Sequence, residues 1–192
     1  MRFNQDILNI VFVARGGQGA KSATEILAQA AVLEGKFVKA FPEFGPERSG
    51  APIKTYLRIS QKEIRTAEPI NNPDILVILD ETILETEGIF NNVILENDDI
   101  ILVNSKRNPK EIVSKAIKLK GKIYTIDASG LAMKVIGKLN PNMAILGYLI
   151  KITEIVKLSD VSKVFGDIFT EKIGKEMTKK NVLAMEEAYD SI

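Results

Sequence analysis

No cysteine, no histidine and no tryptophan occur among the 192 residues. Without thiols the chain cannot form disulfides, hold an iron-sulfur cluster through sulfur or use a cysteine nucleophile. Without imidazole it cannot build a Ser-His-Asp triad or a Cys/His zinc site. An excess of one charge is also lacking: 26 Lys plus Arg face 25 Asp plus Glu, and a net charge of +1 sets up no field for nucleic acid or an anionic membrane. Apolar runs are short. Ile75 to Leu79 is typical, far below the roughly 18 residues that span a bilayer. The opening Met1-Arg2-Phe3-Asn4-Gln5-Asp6 has no signal-like apolar region, so a cytoplasmic location is expected.

What remains is an ordinary globular mixture, 45% apolar and 27% charged, long enough to bury about 70% of its unfolded surface without staples. Residues 1–192 show no repeat or composition shift, and a single domain is expected. Leu8 to Ala14 is apolar but for Asn9, as suits a central parallel strand, and ends in Arg15-Gly16-Gly17-Gln18-Gly19. Ala23, Ile26, Leu27, Ala30 and Ala31 then recur at helical spacing before Gly35, and Phe37 to Phe41 reads as a second strand. This is a βαβ opening.

Residues 42–52, Pro-Glu-Phe-Gly-Pro-Glu-Arg-Ser-Gly-Ala-Pro, cannot be regular and are expected to form a stiff loop. Ile53, Thr55, Leu57 and Ile59 alternate with Lys54, Tyr56 and Arg58, which predicts a half-exposed antiparallel strand. It is expected to turn at Ser60 to Lys62 and pair in a hairpin with a short strand around Ile64. Further strands are predicted over Ile75–Leu79, Asp99–Val103 and Lys122–Ile126. Helices are predicted around Ile112 to Leu119, after Asp127, and over Met143–Val156, Asp160–Phe169 and Lys175–Tyr189. The expected fold is a three-layer α/β/α, Rossmann-like, mostly parallel sheet with an antiparallel hairpin and a helical C-terminal region.

Ala14, Gly16 and Gly19 occupy the small-residue positions of a GxGxxG fingerprint, a turn that brings backbone N–H groups at a helix start close to an anion. A dinucleotide reader also wants an acid at the end of the second strand, where Lys39-Ala40 stands and Glu43 is displaced into the loop. An anion or partner contact, a nicotinamide or flavin site and a structural turn therefore all remain open. Only six of the 26 basic residues are Arg, and Arg15 and Arg48 fall in the two glycine-bearing loops, where planar bidentate geometry is useful. A local pairing of Arg48 with Glu43 or Glu47 is the alternative. Both loops belong to the strand edge where open α/β sheets bind ligands. The candidate partner- or ligand-facing residues are Arg15, Gly16, Gly17, Gln18 and Gly19, with Glu43, Gly45, Glu47, Arg48 and Gly50. Asp80, Glu81 and Asp127 read as helix caps and solvated loop residues rather than bases or cation ligands. Lys106, Arg107 and Lys110 read as a solvated face. No catalytic residue and no metal ligand is assigned.

Gly16-Gly17-Gln18-Gly19 followed by the eleven-residue loop at 42–52 resembles the gamma subunit, or corresponding domain, of 2-oxoacid:ferredoxin oxidoreductases. So do Asn72-Pro73-Asp74, Leu79-Asp80-Glu81-Thr82, Asp127-Ala128 and Asn142-Met143-Ala144-Ile145-Leu146-Gly147. The loop form is most similar to pyruvate and branched-chain 2-oxoacid members. The resemblance implies a complex that converts a 2-oxoacid and CoA to acyl-CoA and CO2 while reducing ferredoxin. It implies that thiamine diphosphate, [4Fe-4S] clusters and CoA belong to partner alpha-, beta- and delta-type subunits. This chain, with no thiolate and with Gly166-Asp167 continuing into Ile168 rather than the Gly-Asp-Gly of a thiamine site, is then expected to carry no cofactor and to serve assembly and the shaping of the active site. A stand-alone Rossmann-like nucleotide-binding oxidoreductase and a metabolite-binding α/β module are the alternatives.

Overall fold

The computed structural model describes residues 6–43, 51–114 and 117–191. In chain order these form β1 (Ile7–Arg15), α1 (Ala20–Leu33), β2 (Phe37–Pro42), β3 (Pro52–Ser60), β4 (Ile75–Ile78), β5 (Ile100–Asn104) and β6 (Lys122–Ile126). There follow α2 (Ala128–Ile136), α3 (Asn142–Thr153), α4 (Leu158–Ile173) and α5 (Lys175–Tyr189). Short 3-10 turns occupy Glu81–Glu85 and Pro109–Glu111. The strands make one sheet in the order β2-β3-β1-β4-β5-β6. β3 runs antiparallel to both its neighbours, whereas β1, β4, β5 and β6 pair in parallel. The expected α/β class with a mostly parallel sheet is what forms.

Both faces of the sheet are buried at its centre, which is why residues 10–14 of β1, all of β4 and residues 100–103 of β5 are apolar. Leu8, Ile10 and Phe12 of β1, with Leu57, Ile75, Val77 and Leu102, meet the helices on one side. Val11, Val13, Leu76, Ile78, Ile101 and Val103 face the other side, where Ile70, Ile83, Leu84, Phe90, Leu95 and Ile112 from irregular chain and 3-10 turns cover them. α3 is the innermost part of the helical layer. Its Gly147 lies against the Met185 carbonyl of α5, where any Cβ would overlap the oxygen.

Three local expectations are corrected. The antiparallel hairpin partner of β3 is β2, with Phe37 opposite Ser60 and Pro42 opposite Thr55, and residues 61–68 contain no strand around Ile64. β3 is also not half-exposed. It is inserted between β1 and β2, and Lys54, Tyr56 and Arg58 are 9%, 2% and 7% exposed. Two of these polar groups find partners, since Glu43 receives the Tyr56 hydroxyl and pairs with Lys54 Nζ at 3.2 Å; the Arg58 guanidinium lies 5.8 Å from the centre of the Phe41 ring, its Nη1 buried without an acceptor among the described residues. Finally, no helix forms among the described residues of 112–119. The turn begun by the Asn108–Glu111 capping box stops at extended Ile112, and the Ser114 hydroxyl donates to the Leu84 carbonyl at 2.7 Å while accepting the Ile117 N–H at 3.2 Å. Such side-chain bonds to the backbone compete with helix propagation.

Candidate functional site

Strand β1 ends at Arg15, and the chain must reverse before α1. The Gly16 N–H donates to the Ala51 carbonyl at 3.1 Å, and the Gln18 N–H donates to the Arg15 carbonyl at 3.2 Å. Gly17 and Gly19 have φ of +94° and +85°, in the left-handed region that disfavours a Cβ. Gly19 precedes α1 as its N-cap and offers no side-chain acceptor. The first-turn N–H groups of Ala20, Lys21 and Ser22 therefore have no acceptor within the helix, and they carry the positive end of its dipole. Gly19 is also fixed by what stands opposite. A Cβ there would fall 2.8 Å from the Asn142 Nδ2 and 3.0 Å from its Cβ, so the close approach is to the start of α3.

Asn142 is 5% exposed. Its amide oxygen accepts the Met143 N–H at 2.8 Å, and its NH2 has no acceptor among the described residues. It lines a cleft of about 260 Å³ together with Gly17, Gly19, Ser22, Lys138 and Asn140, while Phe165, Phe169, Ile173 and Met177 supply an apolar wall. The Asn140 Oδ1 is buried with no donor among the described residues. Uncapped helix N–H groups, an amide NH2 and an exposed ammonium around one cleft suit an anionic group, and the apolar wall suits whatever carries it. No sequence pattern marks Asn142, Asn140 and Lys138 as site residues, because Asn-Pro-Asn reads first as a helix break. The run from Asn142 to Gly147 did belong to the family resemblance.

The candidate residues of the two loops divide into four groups. Gly16, Gly17 and Gly19 form the turn. Arg15 and Gln18 are drawn toward the neighbouring strand end: Arg15 Nη2 and Nε donate to Thr82 Oγ1 at 2.8 and 3.1 Å, with Nε 3.5 Å from Asp80 Oδ2. Gln18 accepts the Arg15 N–H through Oε1 at 2.8 Å and donates through Nε2 to Asp80 Oδ2 at 2.8 Å. Burial raises the Asp80 carboxyl, but the hydrogen bonds from Thr82 and Gln18 and the charge of Arg15 outweigh it and hold the group below the usual carboxylate range. Glu43 follows β2 and bonds to side chains of β3. Burial raises its carboxyl too, the Tyr56 and Lys54 bonds prevail and leave it lowered, and burial with the Glu43 carboxylate pushes the Tyr56 phenol up. Gly45, Glu47, Arg48 and Gly50 lie outside the described residues.

The remaining acids behave as caps. Asp127 accepts the Gly130 N–H at 2.8 Å at the start of α2, and Asp80 accepts the Thr82 N–H at 2.9 Å. Arg107 pairs with Glu81 at 3.2 Å and Lys106 with Asp127 at 3.7 Å, as a solvated face would. Among the described residues no three acids converge on a point that could hold a metal ion. The donor set fits neither a sulfur-ligated cluster, since the chain has no cysteine, nor the Gly-Asp-Gly diphosphate site of thiamine. A Rossmann dinucleotide site is disfavoured by topology as well. β3 separates β2 from β1, and the one acid after β2, Glu43, is held by Tyr56 and Lys54.

Known proteins share this arrangement from end to end. The "Pyruvate/ketoisovalerate oxidoreductases common subunit gamma" of Thermococcus kodakarensis is 40% identical over 184 residues, covering 96% of each chain. The "Pyruvate synthase subunit PorC" of Thermotoga maritima is 39% identical over 93% of this chain and 91% of its own. The crystal structure of pyruvate oxidoreductase subunit PORC from T. maritima superposes with a TM-score of 0.82 at 35% identity, covering 96% of both chains. The fold also matches part of a longer chain, the 2-oxoglutarate:ferredoxin oxidoreductase of Magnetococcus marinus solved with 2-oxoglutarate, coenzyme A and succinyl-CoA bound. There the TM-score is 0.73 at 19% identity, over 98% of this chain and 32% of the other. Residues 9–191 match the pyruvate ferredoxin/flavodoxin oxidoreductase family model, and with relatives of this identity over nearly its whole length the chain belongs to that family.

Proposed function

We propose that this chain is the gamma subunit of a heteromeric pyruvate:ferredoxin oxidoreductase, or pyruvate synthase, in which pyruvate and CoA become acetyl-CoA and CO2 and the two electrons released pass to ferredoxin. The observation that carries this reading is an end-to-end match to separate gamma subunits by a chain that has neither thiolate nor imidazole. Thiamine diphosphate and iron-sulfur clusters then reside on alpha-, beta- and delta-type partner chains, which supply decarboxylation and electron transfer. This chain binds and orients. Its C-terminal strand edge, carrying the glycine turn, faces the partners, and, in a departure from the expectation that CoA belongs to partner chains, the cleft of Gly19, Asn142 and Lys138 receives the phosphate-bearing part of CoA. The α1 N-terminus and the Asn142 amide fit a phosphate oxygen, and the apolar wall of Phe165 and Phe169 fits the remainder. Selection among 2-oxoacid side chains falls to the partners, in keeping with a relative whose name describes one gamma subunit common to a pyruvate and a ketoisovalerate enzyme.

Co-expression of the tagged chain with its genomic neighbours tests the assembly. A complex containing thiamine and iron, with the lone chain colourless and unreactive toward pyruvate, CoA and a viologen dye, is expected. A stable monomer whose melting temperature rises with NAD(P) and which takes up no partner would instead establish the stand-alone nucleotide-binding reading.

A further inference from the structure

Asp80 uses its two oxygens differently. Oδ1 serves its own turn, accepting the Thr82 N–H at 2.9 Å and the Thr82 hydroxyl at 2.7 Å. Oδ2 reaches across 62 residues of sequence to the Gln18 amide at 2.8 Å, a bond that capping does not need. The Gln18 amide is spent at both ends, because its oxygen holds the Arg15 N–H at 2.8 Å. One side chain thus closes the reversal between β1 and α1 and ties it to the end of β4. Thr82 completes the arrangement: its proton goes to Asp80, so its lone pairs are left to accept from Arg15 Nη2 and Nε. The acceptor at the centre of these bonds is a carboxylate, which makes them charge-assisted.

We propose that Asp80 and Thr82 are positioning residues for CoA: through Gln18 and Arg15 they fix the glycine turn, and with it the N–H groups at the start of α1 that meet the cosubstrate phosphate. The inference rests on the cleft's role as the CoA-binding element. Asp80 and Thr82 do not line the cleft and act through Gln18 and Arg15. They hold the turn against the relaxation that two left-handed glycines otherwise permit, so the phosphate finds its donors already aligned. Losing that alignment weakens CoA without altering the use of pyruvate.

The test uses the assembled complex and two readouts, steady-state kinetics of ferredoxin reduction and calorimetric titration of CoA in the absence of pyruvate. Asp80→Asn turns an NH2 toward the Gln18 NH2. It is expected to raise both the KM and the Kd for CoA about tenfold, with kcat and the pyruvate KM changed less than about twofold. Gln18→Met removes both amide bonds without changing charge and is expected to do the same. It carries the test alone should Asp80→Asn fail to assemble. Asn142→Asp, which sets a carboxylate in the cleft itself, separates the two ideas. If it weakens CoA while assembled Asp80→Asn or Gln18→Met binds CoA normally, the positioning proposal is overturned and the cleft stands. If Asn142→Asp leaves CoA affinity unchanged, the cleft reading falls and the positioning proposal falls with it.

Discussion

Strand β4 carries an aspartate beyond each end, and the two carboxyls live under opposite conditions. Asp74, at the N-terminal edge, exchanges bonds with the Asn9 backbone, accepting its N–H on Oδ2 at 2.7 Å while its own N–H goes to the Asn9 carbonyl at 2.9 Å. Burial there wins and raises its carboxyl, and nearby Asp99 is raised by burial with help from Asp74, Glu96 and Asp98. Asp80, at the C-terminal edge, is also penalised by burial, yet Thr82, Gln18 and Arg15 more than compensate. One edge merely tolerates its charge, whereas the other is built to keep it and to fix donors around it. The difference is one of local construction: the edge where open α/β sheets bind ligands is also the one that holds its carboxylate in a bonded cluster.

Glycine substitutions sharpen the contrast and carry the largest expected effects. Gly121, at the N-terminal edge, has φ +117°, and a Cβ there would stand 2.5 Å from the Asp99 carbonyl oxygen, a rigid backbone atom. Gly121→Ala is expected to destabilise the lone chain by about 2–4 kcal/mol in denaturant melts. Complexes that do form should show an unchanged CoA KM. Gly19→Val at the opposite edge meets a side chain that can give slightly, so the loss is expected to be about 1–3 kcal/mol. Here the CoA KM rises as well, because Asn142 is displaced. Equal kinetic effects at the two glycines would erase the distinction between the edges.

The acids give the smaller effects, with opposite signs. A carboxyl lowered by folding, such as Asp80, contributes stability that is present above the ordinary carboxylate range and lost as pH falls through its depressed value. Carboxyls raised by folding, Asp74 and Asp99, cost stability at neutral pH and return it as they protonate near and above their unfolded value. Asp74→Asn keeps an oxygen for the Asn9 N–H and removes the buried charge. Its stability at pH 7 is expected to stay within about 1 kcal/mol of the parent or to exceed it, with a flatter dependence as pH falls through the raised carboxyl's range. A loss of several kcal/mol at pH 7 would show that the Asp74 charge is wanted.

The expectations that held and those that failed differ in the range of their causes. The apolar strands and the helices α1 to α5 declare themselves within a few residues of sequence, and the cap at Asp127 needs only its neighbours. β3 does not. Its alternating Lys54, Tyr56 and Arg58 look like a solvent face because the partner of the first two, Glu43, sits across a strand pair that no local pattern reveals. The same limit hid the reason for Gly19, whose neighbour Asn142 lies 123 residues further along the chain. At Ile112 to Leu119 the error ran the other way: helical spacing was present, but Ser114 bonds to Leu84 and Ile117 instead of letting the turns continue.

The central claim is that this chain supplies a CoA-binding edge to an enzyme whose cofactors lie elsewhere, and omission from a reconstituted complex tests it most directly. Purified partner chains, with thiamine diphosphate and iron-sulfur clusters in place, are assayed for pyruvate- and CoA-dependent ferredoxin reduction while this subunit is titrated in. The account predicts no CoA-dependent turnover without it, none from the subunit alone, and activity that rises to a plateau at stoichiometric addition. Full CoA-dependent turnover by the partner chains alone would contradict it.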